Sequence, residues 1–254
     1  MRKLIVHYHL FKNAGSSVDA ILRHSFGQHW ISFDKSDPSA KILPHELDRF
    51  IDENPSIRAI SSHHALTPLP LSDAYEIFPL VFIRHPIARA KSAYLFEWQK
   101  QLGLERPKGS FSDYVQEKVL DNDRGAISNF HVCQLSNVAI QGKRPVHDES
   151  PEARLARAKE RLDSLPFFGL VEFFQESLVR AHFYLKYHFP ELNVVNRVIN
   201  TTQKVDQNLD AKLVGIRAEL GAELYRLLEQ ENKLDLEFYK YARQQFFSTV
   251  PQAG

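Results

Sequence analysis

The residues best suited to chemistry near the start of the chain are Lys12, Gly15, Ser16 and Ser17, in the run Leu10-Phe-Lys-Asn-Ala-Gly-Ser-Ser17. A cation, a residue without a side chain and two hydroxyls at this spacing suit an anion, and phosphate is the usual one. Gly15 is expected to take a positive φ at no steric cost, and Ser16 or Ser17 to cap the helix that follows. The order of residues disfavours a Walker A loop, which reads G-x-x-x-x-G-K-S/T with its lysine after the second glycine. Here Lys12 precedes Gly15 by three positions, and no glycine comes before it in the turn. Just upstream, His7 and His9 share one face of an extended segment, the geometry of a two-ligand metal site. The preferred reading of the pair is pocket lining or a hydrogen bond to a neighbouring strand, and no metal is expected. Further along, His63 and His64 offer imidazoles, a side chain suited to proton abstraction, and Arg84 supplies a positive charge.

These groups need elements that bring them to one place. Leu4 to Leu10 has the length and composition of a strand, and Val18, Ile21, Leu22 and Ser25 recur at helical spacing. Strand, tight turn and helix in that order aim backbone N–H groups and the positive end of a helix dipole at a single point. His29 to Phe33 reads as a short strand, and Ile57 to Ser61 as a sheet strand entering the proline-punctuated loop Ser62 to Pro70. Ile77 to Ile83 is nearly all apolar, as in a strand covered on both faces, with Pro79 expected at its start. Arg84-His-Pro86 ends that strand and opens a helix. Phe167 to Phe173 is a further buried strand. Helices are predicted over Pro44 to Asn54, Phe111 to Leu120, Glu152 to Ser164 and Gln175 to His188, and from Asp206 to Phe247 with breaks near Gly221 and Asn232. Gly125 to Ser136 reads as less regular, Gln141 to Ser150 as polar loop, and Asn193 to Lys204 as a polar, threonine-rich loop. Strands alternating with helices indicate an α/β fold with a mainly parallel central sheet flanked by helices. Ligands in such sheets bind beyond the carboxyl ends of the strands, and Lys12, His63 and Arg84 each fall just past one.

Composition narrows the classes. The chain has 254 residues, 43% hydrophobic and 25% charged, which suits a single domain over residues 1–254 with a substantial core. A formal net charge of +1 argues against generic nucleic-acid binding. The single cysteine, Cys133, excludes an internal disulfide framework and multi-cysteine metal sites. No run of apolar residues is long enough to span a membrane, and the first strand begins too early for a signal peptide, so a cytoplasmic protein is expected.

At Phe82-Ile-Arg-His-Pro-Ile-Ala-Arg-Ala-Lys-Ser-Ala-Tyr94 the chain resembles the 3′-phosphate-binding element of sulfotransferases that use 3′-phosphoadenosine 5′-phosphosulfate (PAPS). That family holds the 3′-phosphate with an arginine and a serine eight residues apart, matched here by Arg84 and Ser92. Phe11 to Ser17 is then similar to the family's 5′-phosphosulfate loop, in which the lysine precedes the glycine. Phe168 to Leu178 and Asn232 to Ala242 resemble later family segments, so the likeness spans nearly the whole chain, closest to the carbohydrate (uronosyl 2-O-) branch. It implies a P-loop-like sulfotransferase fold and an enzyme that moves a sulfuryl group from PAPS to a hydroxyl, on a saccharide or glycoconjugate. It also implies roles. Lys12 stabilises the bridging oxygen, Asn13, Ala14, Gly15, Ser16 and Ser17 grip the 5′-phosphate, and Arg84 and Ser92 hold the 3′-phosphate.

For the base, His63 is the first choice, His64 the alternative in the Ser-Ser-His-His run, and Glu46 or Glu97 the acidic options. Arg89 is read either as a phosphate contact or as an exposed helix residue, and Asn196, Arg197 and Asn200 to Lys204 as a lid or a solvated loop. Two other classes compete. A P-loop-like phosphotransferase would need a Ser or Thr directly after a lysine and an acidic strand end, and neither is apparent. A non-catalytic relative would bind the nucleotide without turnover.

Overall fold

The computed structural model describes residues 1–120, 127–137, 140–141, 144–145, 149–194 and 209–248. Its central sheet has five strands, all parallel: β1 (Arg2–Tyr8), β2 (Trp30–Ser32), β3 (Ala59–Ser62), β4 (Tyr75–Ile83) and, later in the chain, Gly169–Leu170. The expected α/β class with a parallel sheet and flanking helices is therefore present. Between and after these strands come α1 (Gly15–Phe26), α2 (Pro44–Glu53), α3 (Pro86–Leu95), which runs into a π-helical turn over Phe96–Lys100, α4 (Phe111–Leu120) and α5 (Phe130–Leu135). A two-stranded antiparallel pair, β5 (Ile140–Gln141) with β6 (Arg144–Pro145), overlaps the start of the segment read as polar loop. Then follow α6 (Pro151–Asp163), the fifth sheet strand β7 (Gly169–Leu170), α7 (Phe174–Leu185), α8 (Leu209–Glu231) and α9 (Lys233–Ser248). Among the described residues, no helix is long and apolar enough to cross a membrane.

The chain divides into two compact units. One comprises Met1–Ile83, Arg161–Val205 and Gln245–Gly254, the other Arg84–Glu160 and Asp206–Gln244. The first holds the sheet, in the order β2-β3-β1-β4-β7. Side chains alternate across a strand, so Ile5 with Phe78, Leu80 and Phe82 face one side, where Val18, Ile21 and Leu22 of α1 and Leu178 and Leu185 of α7 cover them. His7 shares that face with Ile5, which is why it meets α1. Chain order reverses at β1, with β3 on one side and β4 on the other. The carboxyl ends of the strands at such a switch point are where this sheet type receives ligands.

Pro79 departs from expectation. It sits in the middle of β4, level with Val6 of β1, not at the start. The reason is β7: it pairs only with Phe82 and Ile83, so at the level of Pro79 strand β4 is an edge and tolerates a residue without an N–H. β7 itself is two residues long where a strand over Phe167 to Phe173 was expected, because Val171–Phe173 turns into a 3₁₀ helix.

In the second unit, Ile87, Tyr94, Trp98, Phe111, Tyr114 and Ile216 build a separate core. Gly221 interrupts α8 with φ 75° and ψ 165°, and Asn232 separates α8 from α9, so both expected breaks are present. The segment read as less regular contains α5, whose amino terminus is closed by a distant side chain. Asp235 of α9 accepts the N–H groups of His131 (2.9 Å) and Val132 (2.9 Å). In return, the Asn129 Oδ1 accepts those of Leu234 (2.9 Å) and Asp235 (3.1 Å) at the start of α9. Each helix start caps the other.

Candidate functional site

The turn after β1 is built differently from the sequence expectation. The left-handed residues are Lys12 (φ 63°) and Ala14 (φ 62°), and Gly15 is not among them. Two side-chain-bearing residues held in that region mark a strained turn, a condition that concentrates at functional sites. Ala14 is the N-cap residue and no side chain caps the helix, so the expected Ser16 or Ser17 cap does not form. The helix simply starts earlier, at Gly15, which leaves both serines exposed on its first turn. The N–H groups of Gly15 and Ser16 have no carbonyl acceptor within the helix, and they lie at the positive end of its dipole. Asn13 is buried and braces the turn, donating from Nδ2 to the Phe11 carbonyl at 2.9 Å. Lys12 extends near the Phe11 ring, 5.8 Å from its centroid.

Gly15 is required for space, not for its backbone angle. A Cβ there would lie 1.9 Å from Cδ2 and 2.0 Å from Nε2 of His9, inside the imidazole. His9 thus packs flat on the opening of α1. Its Nδ1 is 2.9 Å from Oδ2 of Asp19, and the other carboxylate oxygen is 2.8 Å from Nδ1 of His7. The Ser61 hydroxyl joins both groups: it hydrogen-bonds Asp19 and lies 3.3 Å from the His7 Nδ1. Burial alone would raise the Asp19 carboxyl, yet the hydrogen bonds from His7, His9 and Ser61 hold it well below the usual carboxylate range. Burial pushes His7 the other way, down to about 4, so its ring is neutral at pH 7. By type, His7, His9 and Asp19 could also ligate a divalent cation, their donor atoms lying within 4.8 Å of one another. As arranged, each carboxylate oxygen already faces one ring nitrogen, and the cluster closes on itself by hydrogen bonds.

His63 follows β3 at the rim of this cluster. Its ring is 3.8 Å from that of His9 and exposed, and its backbone N–H donates to Asp34 at 2.7 Å. Burial and the neighbouring His9 lower its pKa. His64 turns inward instead: it is buried, and its Nδ1 accepts the backbone N–H of Lys35 at 3.0 Å. That nitrogen is engaged in holding the chain. The acidic candidates are engaged too, Glu46 with Lys35 at 2.7 Å and with the Leu43 N–H at 2.9 Å, Glu97 with Lys118 at 3.2 Å.

In the second unit, Arg84 is the residue after β4 and Ser92 lies on α3. Both line a cleft of about 670 Å³ with Lys91, Lys212, Ile216 and Glu219. Glu219 pins the Lys91 ammonium at 2.5 Å and 2.7 Å. Arg89 fits neither of its sequence readings. It is fully buried, its guanidinium 4.2 Å from the centroid of the Phe130 ring, with the Asp235 carboxylate favouring its charge. Asn196, Arg197 and Asn200 to Lys204, the segment read as a lid, lie outside the described residues.

Asp19 is not singled out by the sequence, and His9 only together with His7, as pocket lining, a hydrogen bond to a neighbouring strand or, less favoured, a metal pair. The available signal was His-x-His on a strand followed by an acid one helical turn beyond Gly15. Fold and site together define an α/β protein with a histidine–aspartate cluster at the carboxyl edge of a parallel sheet. No protein-family model matches the chain. An uncharacterized protein of Archaeoglobus fulgidus is 31% identical over 254 residues, 94% of this chain and 95% of that protein. The chain belongs to the family of that protein.

Proposed function

We propose that the protein is a sulfotransferase on a P-loop-like sulfotransferase fold, moving the sulfuryl group of PAPS to a hydroxyl of a saccharide or glycoconjugate. The observation that carries this reading is the strained, lysine-before-glycine turn at the start of α1, supported by a cleft lined by both Arg84 and Ser92. In this reading the 5′-phosphosulfate rests on the first-turn N–H groups and the Ser16 and Ser17 hydroxyls, with Asn13 and Ala14 shaping the turn. The Lys12 ammonium stabilises the charge that grows on the bridging oxygen as the sulfur–oxygen bond opens. Arg84 forks onto the 3′-phosphate and Ser92 donates a hydroxyl to it. A histidine at the sheet edge takes the acceptor proton. The reading calls for no metal.

The test is nucleotide preference. 3′-Phosphoadenosine 5′-phosphate (PAP) is expected to raise the melting temperature, and ATP with Mg²⁺ is not; the reverse order sinks the reading. Arg84→Ala is expected to weaken PAP roughly 10- to 100-fold, the loss of a charge-assisted hydrogen-bond donor.

A further inference from the structure

His9 is anchored on a carboxylate, as His7 is, but unlike His7 it stays partly exposed at the sheet edge. Its Nδ1 faces Oδ2 of Asp19 at 2.9 Å, while His7 and Ser61 fix the same carboxylate from other directions. A carboxylate only accepts, so Nδ1 carries a proton, and the lone pair of the uncharged form of the ring is on Nε2. That nitrogen lies beside Gly15, where the ring packs on the start of α1 and its free N–H groups. A histidine with one nitrogen anchored on an aspartate and the other at an anion-binding helix start has the arrangement of a proton acceptor. His63 lacks an equivalent anchor on a carboxylate. Its ring hydrogen-bonds the backbone of His9 and lies across the His9 ring.

We propose that His9, not His63, is the catalytic base, with Asp19 as its positioning residue and His63 as the wall that keeps the His9 ring in place. The inference rests on the sulfotransfer reading. In the step, the acceptor O–H bond breaks toward Nε2 of His9 and the acceptor oxygen forms the new bond to sulfur. The bond from sulfur to the 5′-phosphate oxygen breaks, and its electron pair stays on that oxygen. The imidazolium so formed is balanced by the Asp19 carboxylate and returns its proton to solvent.

The experiment uses the full chain labelled with ¹⁵N-histidine and titrated with PAP, followed by two-bond proton–nitrogen correlation. The expected result is a His9 ring with its proton on Nδ1 and an Nε2 signal that moves as PAP saturates. Asp19→Asn should mix the tautomers while PAP still binds, and Asp19→Glu should restore the single tautomer in part. With labelled PAPS and a panel of saccharide acceptors, His9→Gln should keep PAP affinity and lose transfer 10²- to 10⁴-fold. The inference is overturned if PAP saturates while His9 stays silent and His63 responds, or if His9→Gln transfers at the wild-type rate. A protein that binds no PAP removes the sulfotransfer reading itself, a result distinct from either.

Discussion

Asp19 and Asp235 each face a histidine Nδ1, at 2.8–2.9 Å and 3.0 Å, and their surroundings separate two uses of the same pair. Asp235 and His131 are both fully buried, and the carboxylate also closes a helix end and offsets the buried charge of Arg89. Asp19 holds two rings, one sealed at 1% exposure and one at 12%, so one of its partners reaches the rim of the sheet. The lesson is that a histidine–aspartate pair is a staple where every polar atom is enclosed. Where one ring reaches the rim, as His9 does, the pair is not sealed.

Breaking the enclosed pair should cost most. Asp235→Ala leaves two helix N–H groups without their acceptor and the buried Arg89 charge without the carboxylate that favours it, and about 3–5 kcal/mol of stability should be lost. Urea unfolding reads this directly; a loss under 1 kcal/mol would mean that the cluster is not a staple. Acid should act next. The His7 ring titrates near 6.5 when unfolded and near 4 when folded, so between those values the unfolded chain binds the extra proton. Stability present above pH 6.5 is therefore lost as pH falls toward 4, by on the order of 3 kcal/mol for this ring. His85 in the second unit, also lowered to about 4 by burial, adds a loss of the same sign. Comparing unfolding midpoints at pH 7 and pH 5, His7→Gln should flatten its share of the slope, and an unchanged slope would refute the assignment. The smallest effect is expected at the open cluster's neighbour. Gly15→Ala forces the His9 ring away from the helix start, an overpacking that costs about 1–3 kcal/mol. The His9 ring signals should shift in that variant; if they hold still, close approach is not what fixes the glycine.

How far the chain could be read follows from where each signal resides. Strands β1, β3 and β4 were legible because their apolar runs are local, and the helix breaks at Gly221 and Asn232 because both residues act on their own backbone. Pro79 was not, since its tolerance depends on how far a strand ninety residues later extends. Gly15 was assigned the correct importance for an incorrect reason: φ is a local property, whereas the ring that excludes a Cβ arrives from the preceding strand end. Asp19 is not legible in the sequence because an acid on an amphipathic helix looks solvated until the strand beneath it is placed. The same holds for Arg89, as nothing in its neighbours in sequence foretells full burial against Phe130.

The mutual capping of α5 and α9 has a consequence for motion. Asn129 and Asp235 each terminate the other's helix, so fraying one end releases the acceptor that protects the other. The amides of His131, Val132, Leu234 and Asp235 should then exchange with solvent deuterium at a common rate, opening as one cooperative patch although they lie a hundred residues apart.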